Sequence, residues 1–266
     1  MPELPDVEIF KRALARRALR KKITHVTVTD PRILGKLPAA TLSHRLVGRQ
    51  LVSARRHGKY LLAKIGDNGW LTLHFGLTGG LQFFKNPAER PPYTRVCLDL
   101  VGGGHLAYTN KRMIGRVGLI DDASAFIAEE KLGPDALDRR LTFAAFREAI
   151  AGVRRDVKSL LMDQQIIAGV GNIYSDEILF QARINPRTRI DKLDPPRLNR
   201  LYRTIRAVLK TAITRGAGSE QFAERMPSNA LLPMRRKGGR CPRCGRPLQI
   251  MKTGGRTTYF CAHCQH

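Results

Sequence analysis

The first residues of the chain could carry covalent chemistry. Met1 is followed by Pro2 and Glu3, and removal of Met1 would leave the secondary amine of Pro2 at the terminus. Such an amine condenses with an aldehydic sugar carbon to give an iminium ion. A terminal amine has a reference pKa of about 7.7–8.0, against about 10.4 for lysine, so far more of it is unprotonated at neutral pH. Glu3 could carry the proton. Met-Pro begins many chains, so this pair needs support from elsewhere in the sequence.

Four of the five cysteines indicate a metal site. They form two CxxC pairs with sixteen residues between them: Cys241, Cys244, Cys261 and Cys264. This spacing is typical of tetrahedral zinc. His263 and His266 could compete as ligands, but an all-cysteine site is the simpler assignment. Four thiolates leave no open position for water, so we predict one structural Zn²⁺.

The fifth cysteine, Cys97, stands alone in the strand-like segment VCLDLV. Free cysteine usually behaves as a small apolar residue. We therefore expect Cys97 to be a structural thiol.

The charge of the chain favours a polyanionic partner. Lys and Arg number 47 against 22 acids, which gives a net charge of +25, and nucleic acid is the leading partner for such an excess. Binding to anionic lipid would need a basic amphipathic anchor or a lipidation motif, and neither is found. No apolar run reaches the roughly 18 residues of a membrane span, and acids stand where a signal peptide is basic. We expect an intracellular protein with no membrane association.

The pattern of the chain changes twice. An apolar stripe of Val7, Phe10 and Leu14 predicts a helix from Pro5 to about Leu19. Short strands with glycine-rich breaks follow to Ile120, which suggests a sandwich or barrel. Beyond this point the pattern is helical, and the candidate helices are Ala123–Lys131, Phe143–Ala151, Val157–Gln164, Ile173–Ala182 and Pro196–Arg215. The polar segment Gly216–Leu232 is predicted to be a loop.

A short turn, Gly169-Val-Gly171-Asn172, leads into one of these helices. Asn172 is a good N-cap type, and free backbone N–H groups there would favour a phosphate oxygen. Taken alone the signal is weak, because many helix pairs of this kind only pack together.

Taken together, these motifs carry a resemblance. The segments PELPDVE (2–8), HGKY (57–60) and GVGNIY (169–174) and the two CxxC pairs occur in this order. The chain strongly resembles the formamidopyrimidine-DNA glycosylase and endonuclease VIII family over essentially its whole length. The resemblance implies an α+β, multidomain fold: an N-terminal β-sandwich with flanking helices over 1–130, a helical helix–two-turn–helix domain over 131–232, and a zinc-finger β-hairpin over 233–266. It also implies that DNA lies in the cleft between the domains with the damaged nucleotide flipped out.

The resemblance further implies catalytic roles for four residues. Pro2 matches the Schiff-base nucleophile, and Glu3 matches the acid/base residue that helps to expel the lesion base. Lys59 matches a lysine assigned to β-elimination and phosphate contact. Arg256 matches the zinc-finger arginine that binds the phosphate beside the lesion and assists δ-elimination.

Other positions match DNA contacts. Asn172 and Lys158 match residues around that same phosphate, and Arg154 matches a basic contact just upstream. Arg112 matches the arginine inserted opposite the lesion to face the orphaned base.

The chain also departs from the family pattern. Leu77 stands where a strand-filling methionine is usual, Ile114 where a phenylalanine wedges between bases, and Tyr93 where a histidine binds phosphate. Both apolar replacements could still wedge. The segment before the finger, ALLPMRRKGGRC (230–241), lacks the usual aromatic-glycine pair and looks shortened. Since this region includes the loop that covers the flipped base in 8-oxoguanine-specific members, lesion choice stays open.

The favoured interpretation is a bifunctional glycosylase/AP lyase that removes oxidised bases, formamidopyrimidines and 8-oxoguanine, from double-stranded damaged DNA. We expect a monomer, cytoplasmic and associated with the nucleoid when bound to DNA. The alternatives are an endonuclease VIII-like enzyme acting on oxidised pyrimidines or abasic sites, a non-enzymatic zinc-containing DNA-binding protein, and a zinc-ribbon protein of the translation machinery. A pure binder does not need Pro2, Glu3 and Lys59 together.

Overall fold

A computed structural model of the chain describes residues 1–219 and 222–266. The chain divides into two compact units. The first unit comprises Met1–Pro2 and Asp6–Glu130, and the second comprises Glu3–Pro5 and Lys131–His266.

The described residues contain ten strands and seven α-helices. The strands are β1 Ile23–Val28, β2 Leu51–His57, β3 Tyr60–Ile65, β4 Trp70–His74, β5 Gly79–Phe84, β6 Thr94–Leu100, β7 Gly104–Asn110, β8 Arg116–Ile120, β9 Gln249–Thr253 and β10 Arg256–Phe260. The helices are α1 Leu4–Arg17, α2 Ala39–Leu46, α3 Ala123–Glu129, α4 Phe143–Ala149, α5 Val157–Met162, α6 Asn172–Gln181 and α7 Pro195–Arg215. Within the described ranges, no helix combines the length and the apolar character that crossing a membrane requires.

The first unit is the predicted β-sandwich. Two antiparallel four-stranded sheets, ordered β1-β6-β7-β5 and β2-β3-β4-β8, supply the residues of one core. Alternation along β6 shows how: Val96, Leu98 and Leu100 join this core, whereas Cys97 and Asp99 face the other way.

Helix α1 packs its apolar stripe on the same core. Val7 and Leu14 are fully buried, and the ring of Phe10 lies 4.7 Å from the ring of Phe75, centroid to centroid. Pro5 occupies the second helical position, where its missing N–H costs no hydrogen bond. The expected helix is confirmed, with its end two residues earlier, at Arg17.

The second unit is helical and encloses its own core. Asp156 caps α5 through Ser159 N, and Asp194 caps α7 through Arg197 N. Helix α7 ends at Gly216, whose φ of 64° is the left-handed conformation typical of a glycine stop. The finger strands β9 and β10 pair antiparallel in the same unit.

The segment predicted as a polar loop, Gly216–Leu232, is only partly so. Residues 220 and 221 lie outside the described residues. Beyond them, Met226, Ala230 and Leu232 are buried and join the helical core. The described part of the segment is therefore packed against the helices, which its sparse apolar residues did not indicate.

Candidate functional site

The carboxylate of Glu3 caps the start of α6. It accepts hydrogen bonds from the backbone N–H groups of Gly171 (2.7 Å), Ile173 (2.8 Å) and Tyr174 (3.2 Å). Glu3 is fully buried, and the backbone N–H of Leu4 donates to the carbonyl of Gly169 at 3.0 Å. Three N–H donors at a helix N-terminus stabilise the carboxylate anion. The residues that follow Pro2 are thus fixed to the turn between α5 and α6.

Both glycines of this turn are required by the close approach of the N-terminal segment. A Cβ on Gly171 would lie 2.4 Å from Cδ of Glu3. Gly169 has a φ of +116°, and a Cβ there would lie 2.4 Å from Cδ1 of Leu4. The glycines of the GVGN turn therefore leave the space in which Glu3 and Leu4 pack against it.

This arrangement corrects one expectation. Gly171 is the N-cap and Asn172 is the first helical residue, because the cap is supplied by Glu3 from a distant part of the chain. The N–H groups of Ile173 and Tyr174, which we expected to favour a phosphate, bind Glu3 instead. Among the described residues, Oδ1 of Asn172 is buried and has no hydrogen-bond partner, so this oxygen can still accept a hydrogen bond from a donor group.

Lys59 lies at the tip of the β2–β3 hairpin. His57 pairs with Tyr60, which leaves Gly58 and Lys59 as a two-residue turn, and Gly58 has a φ of 54°. Arg56 holds this turn: its Nη1 donates to the carbonyl of Gly58 at 3.2 Å, and its Nε donates to the carboxylate of Glu8 in α1 at 3.2 Å. A buried guanidinium thereby joins the helix that begins beside Pro2 to the turn that presents Lys59.

His74 lies close enough to Lys59 for the ammonium to act on it. Burial and, to a smaller extent, the charge of Lys59 lower the pKa of His74 to about 4. The ring of Tyr60 lies 4.8 Å from that of His74. His74 is therefore neutral at pH 7.

The residues expected to fill the void in DNA share one region of the first unit. Leu77 lies in the turn between β4 and β5, and Arg112 and Ile114 lie in the loop between β7 and β8. The backbone N–H of Arg112 donates to Oγ1 of Thr78 at 3.0 Å. A Cβ on Gly76 would lie 2.6 Å from the carbonyl carbon of Ile114, so the two segments are in contact. Ile114 is 50% exposed.

Tyr93 adjoins the same loop. Its carbonyl accepts the N–H of Asn110 at 2.9 Å, and Lys111 and Arg95 lie 5.5 and 6.0 Å from its ring centroid. The side chain is 49% exposed, and its φ of 59° is unusual for an aromatic residue. An exposed ring between two cations suits a nucleic acid strand.

Arg256 is the first residue of β10, at the tip of the finger hairpin. Gly254 and Gly255 form the two-residue turn with φ of 55° and 72°, as a type I′ turn requires. Arg256 and Lys252 are both exposed. A Cβ on Gly254 would lie 2.8 Å from Oγ of Ser159 in α5, so the tip rests directly on the helix pair.

Lys158, which the resemblance places among the residues around the phosphate beside the lesion, contacts neighbouring protein groups in this structure. It is fully buried, and its Nζ binds Oδ1 of Asp176 at 2.6 Å and Oγ1 of Thr258 at 2.7 Å. Burial lowers its pKa, and the Asp176 carboxylate opposes that effect. Asp176 also accepts from Nε of Arg235 (2.8 Å) and the N–H of Tyr259 (3.1 Å). In this conformation Lys158 joins α5 and α6 to β10.

Arg154 lies in the loop before α5 and is exposed. The next residue, Arg155, is engaged with Asp163 at 2.5 Å. Exposure leaves Arg154 available for the expected DNA contact, which stays a prediction.

The four finger cysteines fit one zinc ion. Their Sγ atoms all lie within 4.8 Å of one another, with 3.8 Å between Cys241 and Cys264 and 3.6 Å between Cys244 and Cys261. Four sulfurs at about 2.3 Å from one Zn²⁺ stand about 3.8 Å apart in a tetrahedron. Nδ1 of His263 instead lies 2.9 Å from Nη1 of Arg246. The finger thus carries the predicted structural, all-cysteine site.

Three side chains that hold parts of the site in place were not predicted from the sequence. They are Asp176, Arg56 and Gln164, whose side chain binds Gly169 N and Val170 O and so braces the glycine turn. Asp176 lies within the GVGNIYSDE segment, where its neighbours could have marked it. For Arg56 and Gln164 the sequence offers no signal, since their partners are backbone groups or distant residues.

Family models match three parts of the chain. They are the formamidopyrimidine-DNA glycosylase N-terminal domain over residues 1–117, the formamidopyrimidine-DNA glycosylase H2TH domain over 132–224, and the zinc finger found in FPG and IleRS over 238–266. The finger model is shared by two kinds of protein, so the other two carry the distinction.

Relatives and solved structures agree with these models. Formamidopyrimidine-DNA glycosylase of Moorella thermoacetica is 37% identical over 260 residues, covering 95% of each chain. That of Edwardsiella ictaluri is 34% identical over 273 residues, covering 100% of each. The crystal structure of the Lactococcus lactis enzyme bound non-covalently to AP-site DNA has a TM-score of 0.88 at 30% identity, with 99% of both chains covered. MutM in complex with DNA containing carbocyclic 8-oxo-G has the same TM-score, identity and coverage. The chain belongs to the formamidopyrimidine-DNA glycosylase family.

Proposed function

We propose that this chain is a bifunctional DNA glycosylase and AP lyase of base excision repair, which removes formamidopyrimidines and 8-oxoguanine from double-stranded DNA. The names of its relatives and the AP-site and 8-oxo-G DNA in the similar structures support this activity. The net charge of +25 supports a polyanionic substrate.

The observation that carries the proposal is the anchoring of Glu3 and Leu4. Chain termini fray unless they are tied down, and a frayed amine is a poor nucleophile because its position is not defined. Here three hydrogen bonds to Glu3 and one from Leu4 hold the residues next to Pro2. Once Met1 is removed, the Pro2 amine is attached directly to residues whose positions are fixed.

The chemistry needs only groups that the chain supplies. The Pro2 nitrogen bonds to C1′ of the damaged nucleotide while the bond to the base breaks, and the base leaves with a proton. The nitrogen then loses its own proton, and the C1′–O4′ bond opens with a proton going to O4′. The product is an iminium ion between Pro2 and C1′ of the opened sugar. Loss of a C2′ proton then expels the 3′ phosphate, and a second elimination expels the 5′ phosphate. We assign the proton transfer at the base to Glu3, the β-elimination to Lys59, and the stabilisation of the departing phosphate to Arg256.

Two groups of residues support DNA binding, one in each unit. Exposed Arg256, Lys252 and Arg154 would hold phosphates in the second unit, and the amide NH₂ of Asn172 would be the group that donates to a further phosphate oxygen. In the first unit, four residues would contact the opposite strand and the space that the flipped nucleotide leaves in the base stack: Leu77, Tyr93, Arg112 and Ile114. We assign Lys158 a positioning role rather than a phosphate contact, because it is buried against Asp176.

The opposite-strand residues carry a separate expectation about specificity. Ile114 cannot stack as an aromatic ring does, and stacking contributes about 1–3 kcal/mol per base. Ile114→Phe should therefore sharpen the preference for the base opposite the lesion. Arg112→Ala should lower activity on duplex far more than on single strands. An unchanged opposite-base preference in both variants would remove these residues from the recognition site.

We also propose that the protein acts inside the cell as a monomer, since every step above is assigned to one chain. A single-turnover rate that does not depend on protein concentration, measured at saturating enzyme, is the expected result. A rate that rises with dimer formation would contradict it.

Borohydride trapping tests the central proposal. During incubation with abasic-site duplex, borohydride should reduce the iminium ion to a stable crosslink, and peptide mapping should place that crosslink on Pro2. Pro2→Gly should weaken trapping and a retained Met1 should abolish it, whereas Pro87→Gly, at an exposed proline of the same unit, should trap normally. A panel of lesion duplexes in the same assay separates oxidised purines from oxidised pyrimidines. A crosslink on Lys59 would overturn the mechanism.

A further inference from the structure

The outer face of the sheet β1-β6-β7-β5 brings together three side chains with metal-binding atoms. Cys97 and Asp99 are two residues apart on β6 and share this face, and His105 on β7 is the register partner of Asp99. Nδ1 of His105 lies 2.7 Å from Oδ1 of Asp99, and Sγ of Cys97 lies 3.7 Å from the same oxygen. The three ligand atoms all lie within 4.8 Å of one another. A sulfur, an oxygen and a nitrogen can therefore converge on one point.

The neighbours of these side chains fix them in place. The ring of Phe84 on β5 stacks on the ring of His105, with centroids 4.8 Å apart and planes 20° apart. Phe84, Cys97 and Ala107 form a small buried cluster of their own, and this packing fixes the position of the Cys97 sulfur. Ligands that are held by packing lose little freedom when an ion binds.

A fourth ligand is within reach. His25 on β1 is the register partner of Asp99 on its other side, and partners in an antiparallel pair project to the same face with Cβ atoms about 5 Å apart. His25 is exposed, so its ring is free to turn toward the group or to leave that position to water.

We propose that Cys97, Asp99 and His105 bind one divalent transition-metal ion, separate from the zinc of the finger. A mixed set of thiolate, imidazole and carboxylate suits Zn²⁺ or Co²⁺, whereas Mg²⁺ and Ca²⁺ take oxygen ligands. The three residues belong to the first unit and the four finger cysteines to the second. The thiol that the sequence presents as merely structural thus gains a ligand role, and the ion would tie β6 to β7.

Metal counting on the full-length protein tests this proposal. The protein, with its finger loaded with zinc, is dialysed against micromolar Zn²⁺, and bound metal is measured by elemental analysis. We expect two ions per chain in the wild type and one in Asp99→Asn and in His105→Gln. These two positions are only partly buried, so their variants should fold, and circular dichroism checks that they do. His44→Gln, at an exposed histidine of the same unit, should keep two ions.

Cobalt reports the identity of the ligands. Co²⁺ added to the protein with a zinc-loaded finger should produce a thiolate-to-cobalt absorption band, which Cys97→Ser should remove. One ion per chain in the wild type would overturn the proposal. So would a second ion that persists in His105→Gln, because that ion would bind elsewhere.

Discussion

Glu3 shows how much one side chain can fix. It reaches across 168 residues of sequence to bind the N–H of Gly171, and it also binds the first turn of α6. The same residue follows the proposed nucleophile directly, so the cap and the catalytic terminus are one structure. A proton-transfer role for Glu3 must therefore be tested apart from this structural role.

Glu3→Gln separates the two roles. Glutamine keeps the shape but turns an amide NH₂ toward backbone donors, which should cost about 1–3 kcal/mol. If Glu3 only transfers a proton at the base, excision of an oxidised base should fall while cleavage of a preformed abasic duplex stays near normal. We expect both rates to fall, by roughly ten- to a hundredfold, because Pro2 also loses its anchor. Glu129→Gln, at an exposed glutamate of the first unit, is the control and should leave both rates unchanged.

Glu177 gives the second unit a pH dependence. Burial raises its pKa from the ordinary 4.5 to about 7, against the opposing hydrogen bonds from Gln181 and Leu232. Between these two values the folded protein holds a proton that the unfolded chain has lost. The contribution of Glu177 to the free energy of unfolding should therefore be largest below about pH 4.5 and fall as the pH rises to about 7, by about 3 kcal/mol at most.

Denaturant unfolding at pH 5 and pH 8 measures this effect. Glu177→Gln should flatten the pH 5 to pH 8 difference that the wild type shows, since glutamine does not titrate. The exposed-site variant Glu129→Gln should keep the wild-type difference. A Glu177→Gln protein with the full wild-type difference would assign the pH dependence to other groups.

At the scale of elements, a buried ion pair joins α1 to the β2–β3 hairpin. The side chains of Arg56 and Glu8 are 8% and 12% exposed, and neighbouring Lys11 and Arg56 hold the pKa of Glu8 below its ordinary value despite burial. Because Arg56 also binds the carbonyl of Gly58, its guanidinium group fixes the turn that carries Lys59. The geometry of a guanidinium, rather than its charge alone, performs this task.

Arg56→Lys keeps the positive charge but removes the guanidinium that binds Glu8 and Gly58 at the same time. We expect the single-turnover rate of strand cleavage to fall about tenfold with little change in DNA affinity, because Lys59 loses its position but the surface keeps its charge. The neighbouring Arg55 stacks on Trp70 at 4.4 Å, and Arg55→Lys is the matched control. Equal rates for the two variants would show that the Arg56 guanidinium does not position Lys59.

The finger hairpin depends on both metal and buried polar contacts. Its cysteines pack with Phe180 and Leu231, while Lys158 and Asp176 bind the β10 strand. Cys261→Ser should abolish zinc binding at the finger and weaken DNA binding, and leave the first unit folded, since no finger residue belongs to it. Near-ultraviolet circular dichroism and elemental analysis check both parts. Full DNA affinity in the zinc-free variant would contradict the role of the finger.

At the scale of the whole molecule, local pattern predicted the parts and could not predict their connections. The stripe through Val7 and Leu14 gave α1, and the CxxC spacing gave the zinc site. Both signals lie within one segment. The capping of α6 by Glu3 and the burial of Lys158 on Asp176 join residues far apart in sequence, so no local period reveals them. Helix α2 was missed for a different reason: at eight residues it is too short for a clear helical period.

The charge of the whole molecule sets the last prediction, which concerns Arg256. Binding by a protein of net charge +25 should weaken steeply with salt, since each neutralised phosphate releases counterions. If Arg256 holds one phosphate, Arg256→Ala should reduce the slope of log K against log salt by about 1. The loss of affinity should be larger for damaged than for undamaged duplex, because we place Arg256 at the phosphate of the flipped nucleotide. Arg140→Ala removes an exposed arginine that is paired with Asp138 in the same unit, and should leave the slope unchanged. Binding isotherms at several salt concentrations on both duplexes decide the matter, and parallel slopes for wild type and Arg256→Ala would eliminate the phosphate contact.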